Sequence, residues 1–328
     1  MVHHMGNSIS RERGSLMGIA ILFIMLYHSG FVIESDAFKW GDIGVEMFAV
    51  LSAIGVCFSL THQTSVTHFY KRRLLRILPA YFVVATPYAL YRHFAYGASW
   101  WHVASVITGV STFRGDITFW FVSYILVCYF LTPLFLSVKK TLDRPFALTG
   151  IVMVVSYVLF LLLNRMIANC YVWCLRFPAF ALGCDLYDYV MVSGKNDYEK
   201  NTSIKRLVVS VIGVILSISL LYLISRFVVN VSFRLLGYLI IVIPLILSLS
   251  DIFSISKYLS SVFSFLGGIT LELYLLHEHV VLPFIMRFNV NRWIIVVAAI
   301  ACAILLSLLV SAIVSRMKMA FSHRVKSV

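Results

Sequence analysis

The fold follows from SLMGIAILFIMLYHSGFVI, the stretch from Ser15 to Ile33. Its 19 residues are apolar, aromatic or small, apart from His28 near the end. A helix needs about 20 predominantly apolar residues to cross the hydrocarbon core of a bilayer. The stretch is therefore predicted to form a membrane-spanning helix that carries one titratable side chain.

The composition places the rest of the chain in the same class. The protein has 328 residues, of which 61% are hydrophobic and 12% are charged, and its mean hydropathy is +0.93. In soluble domains about a quarter of the residues are charged. A transmembrane barrel would alternate apolar and polar residues over segments of about ten, whereas the apolar runs here are continuous. We therefore predict an all-α polytopic transmembrane helical bundle.

Similar apolar runs follow one another along the chain and predict about ten spans. A strongly polar stretch, Ser193 to Arg206, separates the sixth run from the seventh. The runs extend over Ser15 to Ile33, Ile43 to Leu60, Leu74 to Tyr91, Phe119 to Val138, Phe146 to Leu163, Tyr171 to Val190, Leu207 to Phe227, Phe233 to Leu249, Val262 to Ile285 and Trp293 to Ser315.

Lysine and arginine are distributed unequally among the segments that link these runs. If both termini are cytoplasmic, 18 of the 27 cationic residues lie in cytoplasmic segments and 8 lie in outer segments. Such a bias is typical of short cytoplasmic loops, and it explains the net charge of +13 without a nucleic-acid partner. We predict a single membrane domain over residues 1–328, with a cytoplasmic N-terminal segment at about 1–14 and a cytoplasmic basic tail at 316–328.

Titratable side chains inside the runs are few, and each costs a few kcal/mol to insert into a membrane. Because that cost must be offset, each of them is a functional candidate. They are His28, Glu46, Arg176, Asp185, Asp188, Glu272, His277, Glu278 and His279, with Asp42, Arg114 and Asp116 at the outer helix entrances.

Histidine chemistry is indicated in the first and ninth runs. His28 lies in the last third of an outward-running helix, where it is either a packing residue or a general base, since imidazole titrates near neutrality. In the ninth run, Glu272 and His279 lie about 20° apart around a helix, and His277 lies about 140° from Glu272. One straight helix therefore cannot direct all of them into one cavity. Glu278 and His279 are also close enough to the outer interface to be merely solvated.

The basic run YKRRLLRILPAY, Tyr70 to Tyr81, lies at the inner end of the third apolar run. It is either a topology signal that contacts anionic headgroups or a site for a phosphorylated cytosolic ligand, because the planar guanidinium group matches phosphate geometry. On the outer side, Asp116 and Trp120 are related as i and i+4 at the start of the fourth run, and a tryptophan there is commonly an interface anchor.

Five blocks of the sequence, taken in order, resemble one known family. They are GIAILFIMLYHSG (Gly18 to Gly30), GVEMFAVLSA (Gly44 to Ala53), YKRRLLRILPAY (Tyr70 to Tyr81), GDITFWFVSYILVCYFLTP (Gly115 to Pro133) and LELYLLHEHVVLP (Leu271 to Pro283). The chain is similar to the acyltransferase 3 family of integral-membrane acyltransferases, many of which O-acetylate cell-surface polysaccharides.

The chain departs from the family pattern at three positions. The family's usual arginine or lysine, eleven residues before the first-run histidine, is Met17 here. Arg13 lies one turn before Met17, and its direction differs by about 60° from the helix face that carries His28. Its long side chain can therefore partly substitute. The usual aspartate of the second block is Glu46, and its usual glycine is Ala53.

The resemblance implies transfer of an acyl group, most simply acetyl from acetyl-CoA, to a hydroxyl of a cell-surface glycan or lipid-linked sugar. It implies a bacterial plasma membrane location and acyl-CoA as co-substrate, with no metal and no permanently bound cofactor. The expected catalytic residues are His28, Glu46, Glu272 and His277, with Glu46 or Glu272 orienting the imidazole of His28. The expected donor-binding residues are Arg72, Arg73, Arg76 and Arg13, and the expected substrate-binding residues are Asp116, Trp120 and His279.

Two other functions fit the same residues. In a proton-coupled transporter or flippase of a glycan precursor, the buried histidines and glutamates would be the proton-coupling groups. A catalytically silent family member is the second, and Met17 in place of a cation favours it. The sequence does not specify the acceptor, the acyl chain or the oligomeric state.

Overall fold

The computed structural model describes residues 8–62, 65–142, 144–192 and 204–326. The structure is 87% helical and has no strand in those ranges, so the predicted all-α fold is confirmed. Residues 1–7 of the predicted N-terminal segment lie outside the described residues, as do residues 193–203 of the polar stretch between the sixth and seventh runs.

The α-helices of seven or more residues are labelled in chain order. They are α1 (Arg13–Val32), α2 (Ile43–Thr61), α3 (Val66–Tyr96), α4 (Trp100–Ile107), α5 (Trp120–Leu142), α6 (Ala147–Leu163), α7 (Phe177–Val192), α8 (Ile204–Phe227), α9 (Val231–Ile255), α10 (Lys257–Gly268), α11 (Thr270–Leu276) and α12 (Arg292–Lys326). The predicted basic tail thus begins inside α12.

Seven helices in the described part of the chain are long and apolar enough to cross a membrane: α1, α2, α3, α5, α8, α9 and α12. An eighth candidate is the pair of α10 and the segment Thr270–Ile285, which is bent by 58°. The predicted count of ten is not confirmed, because the fifth and sixth runs form helices of only 17 and 16 residues. The protein is an integral membrane protein.

Close packing of α1 against α10 positions the broken ninth run. A Cβ atom added to Gly18 would overlap the backbone carbonyl of Phe263, and one added to Gly267 would overlap that of Gly14. Small residues spaced in this way let two backbones approach closely in a membrane. The break after Gly268 consequently lies against α1, and α11 with the turn that follows it packs on the same helix.

The chain after α11 widens into a π-helical turn over His277–Val281. A π turn contains more residues than an α turn, and such turns are frequent at functional sites. It changes the directions of the side chains relative to a straight helix. The angular separations expected for His277 and His279 therefore do not apply.

Ion pairs at the ends of the bundle join residues that the charge pattern assigns to the same face. On the predicted outer face, Arg226 lies 3.2 Å from Asp36 and Arg292 lies 2.7 Å from Glu34. Hydrogen bonding and the charge of Arg292 lower the pKa of the Glu34 carboxyl. The pairs on the predicted inner face are Lys139 with Asp188 and Arg206 with Asp251. The cytoplasmic location of the termini remains a prediction.

Candidate active site

Two histidines that are far apart in the sequence meet between α1 and the π turn. The ring centroids of His28 and His277 are 5.1 Å apart. The Nδ1 atom of His28 lies 3.2 Å from Oε1 of Glu278. The carboxylate that contacts His28 is therefore Glu278, and neither Glu46 nor Glu272 makes such a contact.

His277 is held in one orientation by its own helix. Its Nδ1 atom lies 2.8 Å from the carbonyl oxygen of Leu273 and 3.1 Å from that of Tyr274. A nitrogen in this position donates its hydrogen to the carbonyls, which leaves Nε2 with a free lone pair. The Nε2 atom is buried and has no hydrogen-bond partner among the described residues. It is available to a ligand.

His279 completes this group from the other side of the carboxylate. Its Nε2 atom lies 3.3 Å from Oε2 of Glu278, and its ring centroid is 6.0 Å from that of Phe119. Glu278 thus lies between His28 and His279. We call His28, His277, Glu278 and His279 the histidine cluster.

Glu46 takes part in a different group, the Arg176 triad of Arg176, Asp42 and Glu46. The Nη1 atom of Arg176 donates to Oε1 of Glu46 at 3.0 Å, and Nη2 donates to both carboxylate oxygens of Asp42 at 2.9 and 2.7 Å. Arg176 is 5% exposed and Glu46 is 1% exposed. The sequence marks Arg176 as a buried charge but offers no partner for it.

Trp120 packs on the Arg176 triad rather than on the histidine cluster. Its ring lies 5.3 Å from Cζ of Arg176, in the range of a cation–π contact. Tyr124, one turn later in α5, donates from its hydroxyl to the carbonyl oxygen of Arg176 at 2.8 Å. The neighbourhood of Arg176 is therefore closely packed.

Asp116 and Trp120 do not share a helix face, because α5 begins at Trp120. Asp116 lies before the helix, where Oδ1 accepts hydrogen bonds from the backbone N–H and the hydroxyl of Thr118 at 2.9 and 2.6 Å. Its Oδ2 lies 3.9 Å from Nε2 of His102. The expected i, i+4 relation at the start of the fourth run is wrong for this reason.

Glu272 is 8% exposed on α11. It forms no side-chain hydrogen bond or ion pair with another residue in the described parts of the chain. Its predicted role in orienting an imidazole has no support from a contact.

Two of the predicted donor-binding arginines converge on α2. The Nε atom of Arg13 donates to the carbonyl oxygen of Leu51 at 3.0 Å, and Nη2 of Arg73 donates to that of Gly55 at 3.1 Å. The Arg13 guanidinium lies in the space that a side chain at position 55 would occupy. Gly55 is consequently needed for this arrangement.

Arg13 and Arg76 line one cavity of about 80 Å³ together with Met17. Met17 thus contributes an apolar side chain to the lining of the cavity that the two arginines share. Arg72 is exposed and is not part of the lining. We call this space the arginine cavity; its other lining residues are Phe48, Ser52, Ile77, Phe121, Ile125, Tyr129, Thr270, Leu271 and Tyr274.

Tyr274 lies between the arginine cavity and the histidine cluster. It lines the cavity, and its ring centroid is 6.3 Å from that of His277 and 5.5 Å from that of Phe121. Its hydroxyl oxygen accepts a hydrogen bond from the backbone N–H of Phe121 at 3.0 Å. Tyr274 is not among the predicted site residues, although it belongs to the fifth block that resembles the family and lies three residues before His277.

The structure therefore brings His28, His277 and His279 together and places Glu278 among them. It also joins Arg13, Arg73 and Arg76 on the side of α1 that faces α2. Five predicted residues belong to neither group. Glu46 and Trp120 lie at Arg176, Glu272 lies on α11, Asp116 lies before α5, and Arg72 lies at the surface.

Comparison with known proteins identifies one family. No curated protein and no solved structure matches the chain. A family model described as an acyltransferase domain matches residues 16–315, a span that includes the histidine cluster and most of the bundle. The chain therefore belongs to the acyltransferase 3 family.

Proposed function

We propose that the protein transfers an acyl group, most simply acetyl, from acyl-CoA to a hydroxyl of a cell-surface glycan or lipid-linked sugar. Membership of an acyltransferase family supports the reaction class. The observation that carries the proposal is the contact between His28 and Glu278, side chains from opposite ends of the sequence that meet inside the bundle. Such an arrangement suits a base and the group that orients it.

In this mechanism His28 is the general base. Its Nδ1 atom faces the Glu278 carboxylate, so Nε2 is the nitrogen left for an acceptor hydroxyl. A carboxylate beside one imidazole nitrogen fixes the tautomer and stabilises the imidazolium that forms. In this proposal the carboxylate that orients the imidazole is Glu278, in place of Glu46 or Glu272.

The acyl transfer needs only His28, the acceptor hydroxyl and the thioester. The acceptor hydroxyl gives its proton to Nε2 of His28 as its oxygen attacks the thioester carbonyl carbon. A new C–O ester bond forms, the C–S bond breaks, and the proton passes from the imidazolium to the CoA thiolate. The buried Nε2 of His277, which has no partner among the described residues, faces the same space and is placed to bind one of the reacting molecules.

The arginine cavity is the donor end of the proposed site. Arg13, Arg73 and Arg76 carry three positive charges close to it, and guanidinium groups bind phosphates through charge-assisted hydrogen bonds. A donor held there by its phosphates would direct its acyl end past Tyr274 toward His277. We place the donor on the cytoplasmic face and the acceptor on the outer face of a bacterial plasma membrane.

We place the acceptor end at His279 and Asp116. His279 is the member of the histidine cluster that contacts Glu278, and Asp116 lies at the predicted outer entrance of the fourth run, where a glycan hydroxyl would arrive. Asp116 retains carboxylate lone pairs beyond those used by Thr118, and a carboxylate is a common partner of sugar hydroxyls.

The test is release of the free CoA thiol by the purified protein given acetyl-CoA and candidate glycans. Intact mass spectra of the glycan report the added acetyl group. The proposal predicts thiol release that depends on the acceptor, with one acetyl gained per thiol. A transporter or flippase would take up glycan precursor without releasing thiol, and a folded protein that releases none with any acceptor would contradict the proposal.

A further inference from the structure

The histidine cluster contains three side chains that can act together as metal ligands. One ligand atom each from His28, His277 and Glu278 lies within 4.8 Å of the other two. Two donors bound tetrahedrally to zinc at about 2.0 to 2.2 Å are about 3.4 Å apart. The 3.2 Å separation between Nδ1 of His28 and Oε1 of Glu278 already matches that spacing. The third ligand atom lies within 4.8 Å of the other two, so it has to approach by at most about 1.4 Å to reach that spacing.

His277 has the form of a prepared metal ligand. Metal-binding histidines almost always donate their other ring N–H to a carbonyl or carboxylate, which fixes the tautomer and directs the lone pair. Nδ1 of His277 faces the carbonyls of Leu273 and Tyr274. The residue is 5% exposed, and its Nε2 has no partner among the described residues. A buried, fixed and unpartnered nitrogen is an independent sign of a ligand.

The ligand types select a class of ion. Two imidazoles and one carboxylate form the His₂Glu set of zinc sites with an open fourth position. Calcium and magnesium prefer oxygen ligands and higher coordination numbers, so they fit poorly here.

We propose that His28, His277 and Glu278 bind a divalent transition-metal ion of the zinc class, and that the bound ion blocks acyl transfer. A neutral imidazole has one in-plane lone pair. If Nδ1 of His28 binds the ion, its Nε2 must carry the proton and cannot accept one from a hydroxyl. The ion also occupies Glu278. Binding of the metal stands on the geometry alone, whereas the block rests on the proposed function.

The binding experiment uses the full chain purified in detergent, freed of metal by a chelator and titrated with zinc chloride in a calorimeter. We expect a site whose affinity falls by about tenfold or more in Glu278→Gln and in His277→Gln. The matched control is His93→Gln, another histidine with Nδ1 at a backbone carbonyl, 2.5 Å from that of Ala98. It should bind zinc as the wild type does.

Two results of the zinc titration would contradict the proposed metal site. One is a wild-type protein that takes up no zinc, and the other is equal zinc affinity in wild type, Glu278→Gln and His277→Gln. Glu278→Gln nearly preserves the shape of the side chain, so it decides the question even if His277→Gln does not fold. Size-exclusion profiles and melting temperatures identify folded variants.

The block is tested separately by measuring CoA release with and without zinc at saturating occupancy. We expect activity to fall in proportion to the occupied fraction and to return after chelation. Zinc that binds at full occupancy while turnover continues would refute the block. If no acyl transfer is found under any condition, the proposed function and its block fail together, and the calorimetric result still decides the metal site.

Discussion

The Arg176 triad and the histidine cluster are both groups of ionisable side chains inside the helical bundle, but their contacts differ. Arg176 makes three hydrogen bonds of 2.7 to 3.0 Å to two carboxylates. Between the side chains of the histidine cluster, the nitrogen–oxygen separations are 3.2 and 3.3 Å. Nε2 of His277 has no hydrogen-bond partner in the described chain.

This difference distinguishes a group that stabilises the fold from a group that can react with a substrate. Buried charges are tolerated when they are paired and hydrogen-bonded, and the triad meets that condition although Arg176 Nε and Glu46 Oε2 have no partner of their own among the described residues. In the histidine cluster, by contrast, Glu278 has only imidazole nitrogens within ion-pair distance among the described residues. We interpret the triad as part of the fold and the histidine cluster as the place where substrate binds.

The largest effect is expected at His28. If it is the general base, His28→Ala should lower kcat by about 10² to 10⁴-fold while abundance and acetyl-CoA binding change little. The reason is that the donor phosphates are proposed to bind near Arg13, which lies about 22 Å from His28 along α1. The measurement is thiol release per folded molecule. His93→Ala is the control, and normal turnover by His28→Ala would remove His28 from the mechanism.

A second large effect, on stability rather than rate, is expected at Arg176. Arg176→Met leaves one buried and one half-buried carboxylate without their cation, and breaking a buried ion pair costs about 3 to 5 kcal/mol. Melting temperature and membrane abundance should fall, and the protein that still folds should turn over.

The control for Arg176 is Arg226→Met, which removes the exposed pair with Asp36. Exposed pairs are worth about 0 to 1 kcal/mol, so its melting temperature should hardly change. If Arg176→Met instead keeps wild-type stability but loses turnover, the Arg176 triad takes part in the reaction. The proposed distinction between a structural triad and a reactive histidine cluster would then be wrong.

A smaller effect is expected at the arginine cavity. Arg76→Gln should raise the KM for acetyl-CoA about tenfold to a hundredfold, because one charge-assisted hydrogen bond is worth about 1.5 to 3 kcal/mol. Lys71→Gln, an exposed cation of the same run, should leave the KM nearly unchanged. Equal KM values in the two variants would show that the run serves topology alone.

The smallest effect is expected at Tyr274. Tyr274→Phe keeps the ring between the arginine cavity and the histidine cluster but removes the acceptor for the N–H of Phe121. The cost is about 0.5 to 1.5 kcal/mol of stability, with kcat close to normal. Thermal unfolding in detergent and initial rates measure both. A kcat loss beyond tenfold would mean that the hydroxyl takes part in the reaction.

The sequence predicted the class of fold because hydrophobic composition is summed over the whole chain. Continuous apolar runs require helices in a membrane, since every backbone group must find a partner within its own segment. The number of spans was not confirmed, because run length alone does not show where a helix ends. The ninth run, for example, breaks after Gly268 and bends by 58°.

The sequence named His28 and His277 but gave no role to the carboxylate between them. Helical periodicity assumes about 100° per residue, and the π turn at His277–Val281 violates that assumption where Glu278 lies. The partnership of Glu46 with Arg176 was also beyond the sequence, because 130 residues separate them. Contacts between distant segments depend on packing, which spacing along the chain does not report.

The central claim, that His28 and Glu278 act as one unit, is tested most directly by a double-mutant cycle on kcat. His28→Ala, Glu278→Gln and the double variant are compared with wild type by thiol release per folded molecule. Residues that act as a unit are strongly non-additive, so the double variant should be about as slow as His28→Ala alone. A double variant slowed by the product of the two single effects would show that the residues act independently and would contradict the claim.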